Sequence, residues 1–199
     1  MATPPLLQTH ALCGSRGGRA LWQGLSLQML PKDCRWLRGA NGSGKTTLLR
    51  TLAGLRSPES GRVERGALRY LGHAPGVPDA LTPAEHLAFA AQWQGSPASS
   101  EAQQQALQRW CGKAWARRPA RSLSQGQRRR AALAVLALPQ PVGTVWLLDE
   151  PFDALDDEGV SLLCAQMQAH ADAGGAVLFT CHSQALAERV RRGEDLVLG

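Results

Sequence analysis

The sequence predicts an α/β fold with a helical insertion, on three observations. A glycine-rich loop, Gly39-Ala-Asn-Gly-Ser-Gly-Lys45-Thr46, sits between an extended segment and a helical one. Two later apolar runs, Thr144–Leu148 and Ala176–Thr180, have the length and unbroken hydrophobicity of strands buried on both faces in a parallel sheet. Between the loop and these runs lies a mostly helical stretch, roughly 83 to 138.

Residues 1 to 38 read as short strands separated by turns, with Gly14, Gly17 and Gly18 marking one turn. Leu25-Ser-Leu-Gln-Met-Leu30 meets a break at Pro31-Lys-Asp33, and Cys34–Arg38 runs as a strand into the glycine-rich loop. A helix is expected from about Lys45 to Ala53, closed by Gly54 at its C-terminal end. Ser57-Pro-Glu-Ser-Gly61 is a turn before further strands near 62 to 72. At Thr82-Pro-Ala-Glu85, Thr82 can cap a helix, Pro83 suits its first position, and Glu85 can reach back to complete a capping box. The helical stretch is expected to break at Gly95-Ser-Pro-Ala-Ser-Ser100, and a further helix joins the two buried strands. There is no internal repeat.

At 199 residues the chain reads as one domain, and 44% hydrophobic with 19% charged residues fits a globular protein. No apolar run approaches the ~18 residues of a membrane-spanning helix. The start, Met1-Ala-Thr-Pro-Pro-Leu-Leu7, lacks a basic segment followed by an apolar core, so a soluble protein without a secretory signal is expected. Five cysteines, at 13, 34, 111, 164 and 181, form no CxxC pair and are read as reduced core or surface residues. The net charge of +6 raises nucleic acid as a partner. The excess is concentrated in Arg117, Arg118, Arg121, Arg128–Arg130, Arg189, Arg191 and Arg192, without the aromatic interleaving of single-strand binders.

Three segments carry chemistry. The loop Gly39, Ala40, Asn41, Gly42, Ser43, Gly44, Lys45, Thr46 matches GxxxxGK[ST]. Its glycines let backbone N–H groups turn inward around phosphates, at the positive end of the following helix. Lys45 would meet the β- and γ-phosphates, Thr46 would offer its hydroxyl to Mg²⁺, and Thr47 could bond the α-phosphate. Val145-Trp-Leu-Leu-Asp149-Glu150 is an apolar strand delivering two carboxylates to the ligand crevice of an open α/β sheet. There Asp149 can hold the hydration shell of Mg²⁺ and Glu150 can polarise an attacking water as general base. Leu123-Ser-Gln-Gly-Gln127 reads locally as a capped helix start, with Ser124 the cap and Gln127 closing the box.

LSxGQ is also the signature of ABC ATPases, and the three segments stand here in that family's order. The chain therefore resembles the nucleotide-binding subunits of ABC transporters over nearly its whole length. Pro151-Phe-Asp-Ala-Leu-Asp156 is similar to the family's D-loop, with Asp156 in its last acidic position. His182 resembles the switch histidine that contacts the γ-phosphate. Two positions depart from the family. Arg16 stands where an aromatic ring usually stacks on adenine, so a guanidinium plane would replace the ring. Ala74 stands where the Q-loop glutamine is expected, with His73 beside it.

The resemblance implies a P-loop NTPase with a RecA-like core, an N-terminal antiparallel β part and a helical signature subdomain near 75 to 140, all in one ATP-binding domain spanning 1–199. It also implies ATP and Mg²⁺ as cofactors. A head-to-tail dimer with a second copy is implied, in which Ser124 and Gly126 of one copy close over ATP bound by the other. Integral-membrane subunits would hold the protein at the cytoplasmic face of the inner membrane, with no nucleic acid involved. Within the family, Leu71-Gly-His-Ala-Pro-Gly76, Leu81–Phe89 and Leu147-Leu-Asp-Glu-Pro-Phe152 are most similar to the ATPases of cytochrome c maturation, which serve haem export. The ATPase of another small ABC transporter, such as a metal or amino-acid importer, and a soluble ABC ATPase acting on nucleic acid are the rival readings.

Overall fold

A computed structural model describes residues 3–74, 76–93 and 98–198. The expected start Met1-Ala2, the core of the expected helix break (Gly95, Ser96, Pro97) and Pro75 lie outside the described residues. The chain divides into two compact units: Met1–His73 with Pro141–Pro151 and Met167–Gly199, and Ala74–Gln140 with Phe152–Gln166.

The first unit holds two sheets. In the antiparallel sheet, β1 (Leu7–Arg16) pairs with β2 (Arg19–Leu25), with β3 (Gln28–Met29) and with β5 (Ser60–Arg65). Gly17 and Gly18, at φ +58° and +78°, make the two-residue turn that sets Arg16 opposite Arg19. Gly14 is not part of that turn, contrary to expectation. It lies inside β1 because the indole of Trp22 crosses it so closely that a Cβ would fall 2.5 Å from the ring.

The parallel sheet has the order β6 (Leu68–Leu71), β7 (Val145–Leu148), β8 (Ala176–Phe179), β4 (Cys34–Gly39), β9 (Leu196–Leu198). Every residue of β7 and β8 is buried, as their unbroken apolar runs require. Helix α1 (Lys45–Leu52) follows β4 across the glycine-rich loop and buries Leu48, Leu49 and Leu52 in the core with Leu37, Leu147 and Leu178. It ends on Gly54 at φ +76°: the Gly54 and Leu55 N–H groups donate to the carbonyls of Thr51 and Arg50 at 3.0 and 2.9 Å, a Schellman closure.

The second unit is helical, with α2 (Pro83–Trp93), α3 (Ser100–Trp110) and α4 (Gln125–Leu133). The Thr82–Glu85 box is formed: Thr82 N–H donates to Glu85 Oε2 at 2.8 Å and Glu85 N–H to Thr82 Oγ1 at 3.2 Å. The indole of Trp110, buried, donates to Gln166 Oε1 at 2.8 Å. Residues 111–124, expected to be helical, instead make turns around Gly112 and Pro119 with one 3₁₀ turn at Ala120–Ser122. Helix α5 (Asp157–Asp172) continues the chain, and a short α6 (Gln184–Glu188) precedes β9. Among the described residues no helix is long and apolar enough to cross a membrane.

Candidate functional site

Parallel packing of β4, β7 and β8 brings their carboxyl ends together, and the loops that leave them build a cleft of about 240 Å³. Its walls include Arg16, Asn41, Gly42, Gly44, Lys45, Thr46, Thr47, His73, Asp149, Glu150 and His182. Residues far apart in sequence thus meet at the N-terminus of α1. The loop has the geometry such a cradle needs. Gly39, Gly42 and Gly44 sit at φ +153°, +83° and +97°, and a Cβ on Gly39 would meet Ser43 Oγ at 2.4 Å and the Leu198 carbonyl at 2.8 Å. Gly39 and Ala40 also line an adjoining cleft of about 570 Å³, with Trp36, Arg38, Lys45 and His182. The Ser43 hydroxyl is buried within the loop. Lys45 Nζ donates to the carbonyls of Gly39 and Ala40, at 2.7 and 3.1 Å.

The two carboxylates at the end of β7 are both buried. Asp149 Oδ1 accepts from Thr180 Oγ1 at 3.0 Å. Glu150 adopts φ +47°, a left-handed conformation that costs a side-chain-bearing residue on the order of 1–3 kcal/mol and is held only where its surroundings fix it. Its N–H donates to Thr180 Oγ1 at 2.7 Å, and its Oε1 lies 3.5 Å from His182 Nε2. His182 is largely exposed, Glu150 is not. A buried carboxylate beside an accessible imidazole, facing the phosphate loop, can take a proton from water and orient the group that water attacks.

Ser124, Gly126 and Asp156 stand elsewhere, around a cleft of about 470 Å³ in the second unit, with Trp115, Gln127, Arg130 and Ala154. Ser124 caps α4 with a complete capping box: its Oγ accepts from Gln127 N–H at 3.2 Å, and Gln127 Oε1 accepts from Ser124 N–H at 3.0 Å. The box takes up the Gln127 N–H and leaves those of Gln125 and Gly126 at the helix start, the end of the dipole that favours an anion. Gly126 abuts the Ala154 carbonyl, 2.8 Å from where a Cβ would be, and Ala154 itself lies at φ +61°. Asp156 and Glu158 both accept from Arg130 Nη2, at 2.7 and 2.8 Å. The Arg130 hydrogen bond, with that from Gly159 N–H, holds the Asp156 carboxyl below the usual carboxylate range.

Sequence reasoning missed Thr180 and Arg130. Neither belongs to a motif by itself, and only spatial pairing with Asp149, Glu150 and Asp156 marks them out. Among the described residues no group of three or more His, Cys, Asp or Glu side chains is placed to hold a metal by itself.

The family described as ABC transporter matches residues 22–153. The chain is 42% identical, over 192 residues, to the cytochrome c biogenesis ATP-binding export protein CcmA of Cupriavidus necator, covering 90% of this chain and 84% of that one. It is 44% identical, over 188 residues, to the protein of the same name in Hyphomonas neptunium, covering 93% and 94%. Among solved structures, the ATP-binding subunit of an ABC transporter matches with a TM-score of 0.84 at 23% identity, covering 97% of this chain and 85% of that one. A dimeric ATP-binding cassette in a post-hydrolysis state, bound to ADP and Pi, matches with a TM-score of 0.83 at 18% identity, covering 96% and 94%. At these identities the structures speak for the fold, and the family match and the two relatives speak for the lineage: the chain belongs to the ABC transporter ATP-binding family.

Proposed function

We propose that this chain is the ATP-hydrolysing subunit of an ABC transporter serving haem export, or release of haem-loaded chaperone, in cytochrome c biogenesis. The observation that carries hydrolysis is the single cleft that gathers Lys45, Thr46, Asp149, Glu150 and His182. In this reading the loop 39–47 binds the phosphates, Glu150 takes the proton of the attacking water, and His182 orients the γ-phosphate. Arg16 offers its guanidinium plane to adenine. Thr46 and Asp149 fit Mg²⁺, since both present hard oxygen donors to that cleft, Asp149 through water. When bound, the ion would neutralise charge on the β- and γ-phosphate oxygens.

The two relatives named for cytochrome c biogenesis support the cargo. On the same reading, residues 1–199 act as one ATP-binding domain whose helical part lies near 75 to 140. Two copies assemble head to tail, so that Ser124 and Gly126 of one close over ATP on the other, with Asp156 in the D-loop position. Integral-membrane subunits hold the pair peripherally at the cytoplasmic face of the inner membrane.

The test is a clean deletion in the native host, read by covalent-haem staining. Loss of c-type cytochromes, with haem accumulating on its chaperone, is expected. Normal staining would overturn the haem-export reading and leave the ATPase reading standing. Stimulation of phosphate release by co-purified membrane subunits, and not by DNA or RNA, separates a transporter from a nucleic-acid ATPase.

A further inference from the structure

Thr180 follows β8, is fully buried, and continues the β7–β8 ladder by donating its N–H to the Leu148 carbonyl at 3.0 Å. That backbone bond sets its side chain beside the end of β7. Its hydroxyl then makes two bonds at once, accepting from Glu150 N–H at 2.7 Å and donating to Asp149 Oδ1 at 3.0 Å. A hydroxyl has one proton and two lone pairs, so the roles are fixed: the proton goes to the carboxylate and a lone pair meets the amide. The amide belongs to the residue at φ +47°. A left-handed glutamate relaxes unless its backbone is pinned, and Thr180 supplies a pin. Two residues on, His182 lies 3.5 Å from the Glu150 carboxylate. One side chain, two residues before His182, thus ties the Asp149 carboxylate to the Glu150 backbone.

We propose that Thr180 is a positioning residue for hydrolysis, acting through Glu150 and Asp149 without touching nucleotide. The proposal rests on Glu150 being the general base. It explains why threonine stands among the apolar residues of this strand end: valine has the same shape and would fill the space equally, but leaves the amide and the carboxylate oxygen without this partner.

The test compares Thr180→Val and Thr180→Ser, each alone and combined with Glu150→Gln, by kcat, by ATP affinity from calorimetry, and by thermal melting. Thr180→Val should lower kcat by roughly 10- to 100-fold, the range expected for a lost hydrogen bond to a charged group, while ATP affinity changes by less than about 3-fold because the phosphate loop is intact. Thr180→Ser, which keeps the hydroxyl, should stay within about 3-fold of the parent. In the Glu150→Gln background Thr180→Val should cost clearly less than in the parent, since the part of its effect that passes through the Glu150 carboxylate is already removed and only the part through Asp149 remains. If Thr180→Val melts too low to assay, Thr180→Ala provides the same comparison without a methyl against the carboxylate.

Full turnover in the valine form would overturn the proposal. So would a serine form as slow as valine, equal losses in both backgrounds, or ATP affinity falling together with kcat. Parental turnover in Glu150→Gln alone would instead remove Glu150 as base, a separate failure.

Discussion

Replacing Gly126 by alanine sets two physical effects of opposite sign against each other. Gly126 lies in the first turn of α4, at a position without positive φ. Helix propensity alone then favours alanine by ~1 kcal/mol. The new Cβ, however, would stand 2.8 Å from the Ala154 carbonyl oxygen, where a C···O contact normally needs about 3.3 Å or more. The carbonyl cannot swing aside freely. Ala154 is already left-handed, Leu155 N–H donates to Phe152 O at 3.2 Å, and Asp156 is held by Arg130 and by Gly159 N–H at 2.7 and 3.0 Å. Overpacking of this kind costs ~1–3 kcal/mol, so the net effect is a loss of ~0–2 kcal/mol, a melting temperature lower by up to roughly 8 °C for a chain of this size. Because the clash forces the signature turn away from the Ala154–Asp156 segment, ATPase activity should fall by ~10- to 100-fold, the scale of a misplaced site. Differential scanning fluorimetry and a phosphate-release assay measure the two, with Gln125→Ala as an exposed neighbour expected to change stability by less than ~0.5 kcal/mol. A Gly126→Ala protein that melts above the parent and hydrolyses ATP at the parental rate would refute the reasoning, since propensity would then have won.

Further outcomes follow from other parts of the molecule. If Arg16 stacks on adenine, Arg16→Ala should weaken ATP binding by roughly 2- to 30-fold, from ~0.5–2 kcal/mol of cation–π attraction. Arg16→Tyr should restore most of that affinity and Arg16→Lys should not, with turnover at saturating ATP nearly constant; equal affinities for parent, alanine and lysine forms would exclude stacking. Trp110→Phe leaves the buried Gln166 acceptor without its indole donor, which should cost ~1–3 kcal/mol and lower the melting temperature by several degrees; an unchanged melt would show that Gln166 finds another donor. Burial pushes the imidazoles of His86 and His170 below their ordinary value. The unfolded chain therefore takes up protons near pH ~6.5 that the folded one refuses, and stability present above that pH is lost as pH falls below it. Melting at pH 7.5 and 5.5 should show the drop. His170→Phe, which replaces the imidazole stacked 3.9 Å from Trp146 by another ring, should reduce the drop to the part due to His86, and an identical slope in both proteins would count against the His170 contribution.

Elements whose cause is local were legible in the sequence. The apolar runs of β7 and β8 need burial on both faces, so no alternation was required to recognise them. Helix α1 announces its end at Gly54, and the boxes at Thr82 and Ser124 are closed by residues three positions away. The misreadings have tertiary causes. Gly14 looks like a turn residue until Trp22 is laid across it, and β9 is a three-residue strand recognised only by its pairing with Leu37–Gly39. The turns at 111–124 break a stretch whose composition is helical on both sides. In the site, the loop 39–47 and the pair Asp149–Glu150 are contiguous in sequence and were readable. Thr180 and Arg130 were not, because each acts on groups about thirty residues away in sequence.

On the proposed reading of the loop, the hydrogen bonds from Lys45 to the Gly39 and Ala40 carbonyls make phosphate capture an exchange reaction. The ammonium does not wait bare in the loop. It is already solvated by the backbone of its own loop. A newcomer must offer oxygens good enough to compete with two carbonyls. Phosphate oxygens, carrying charge, can do so, whereas a nucleoside with only sugar and base brings nothing to trade for the lysine.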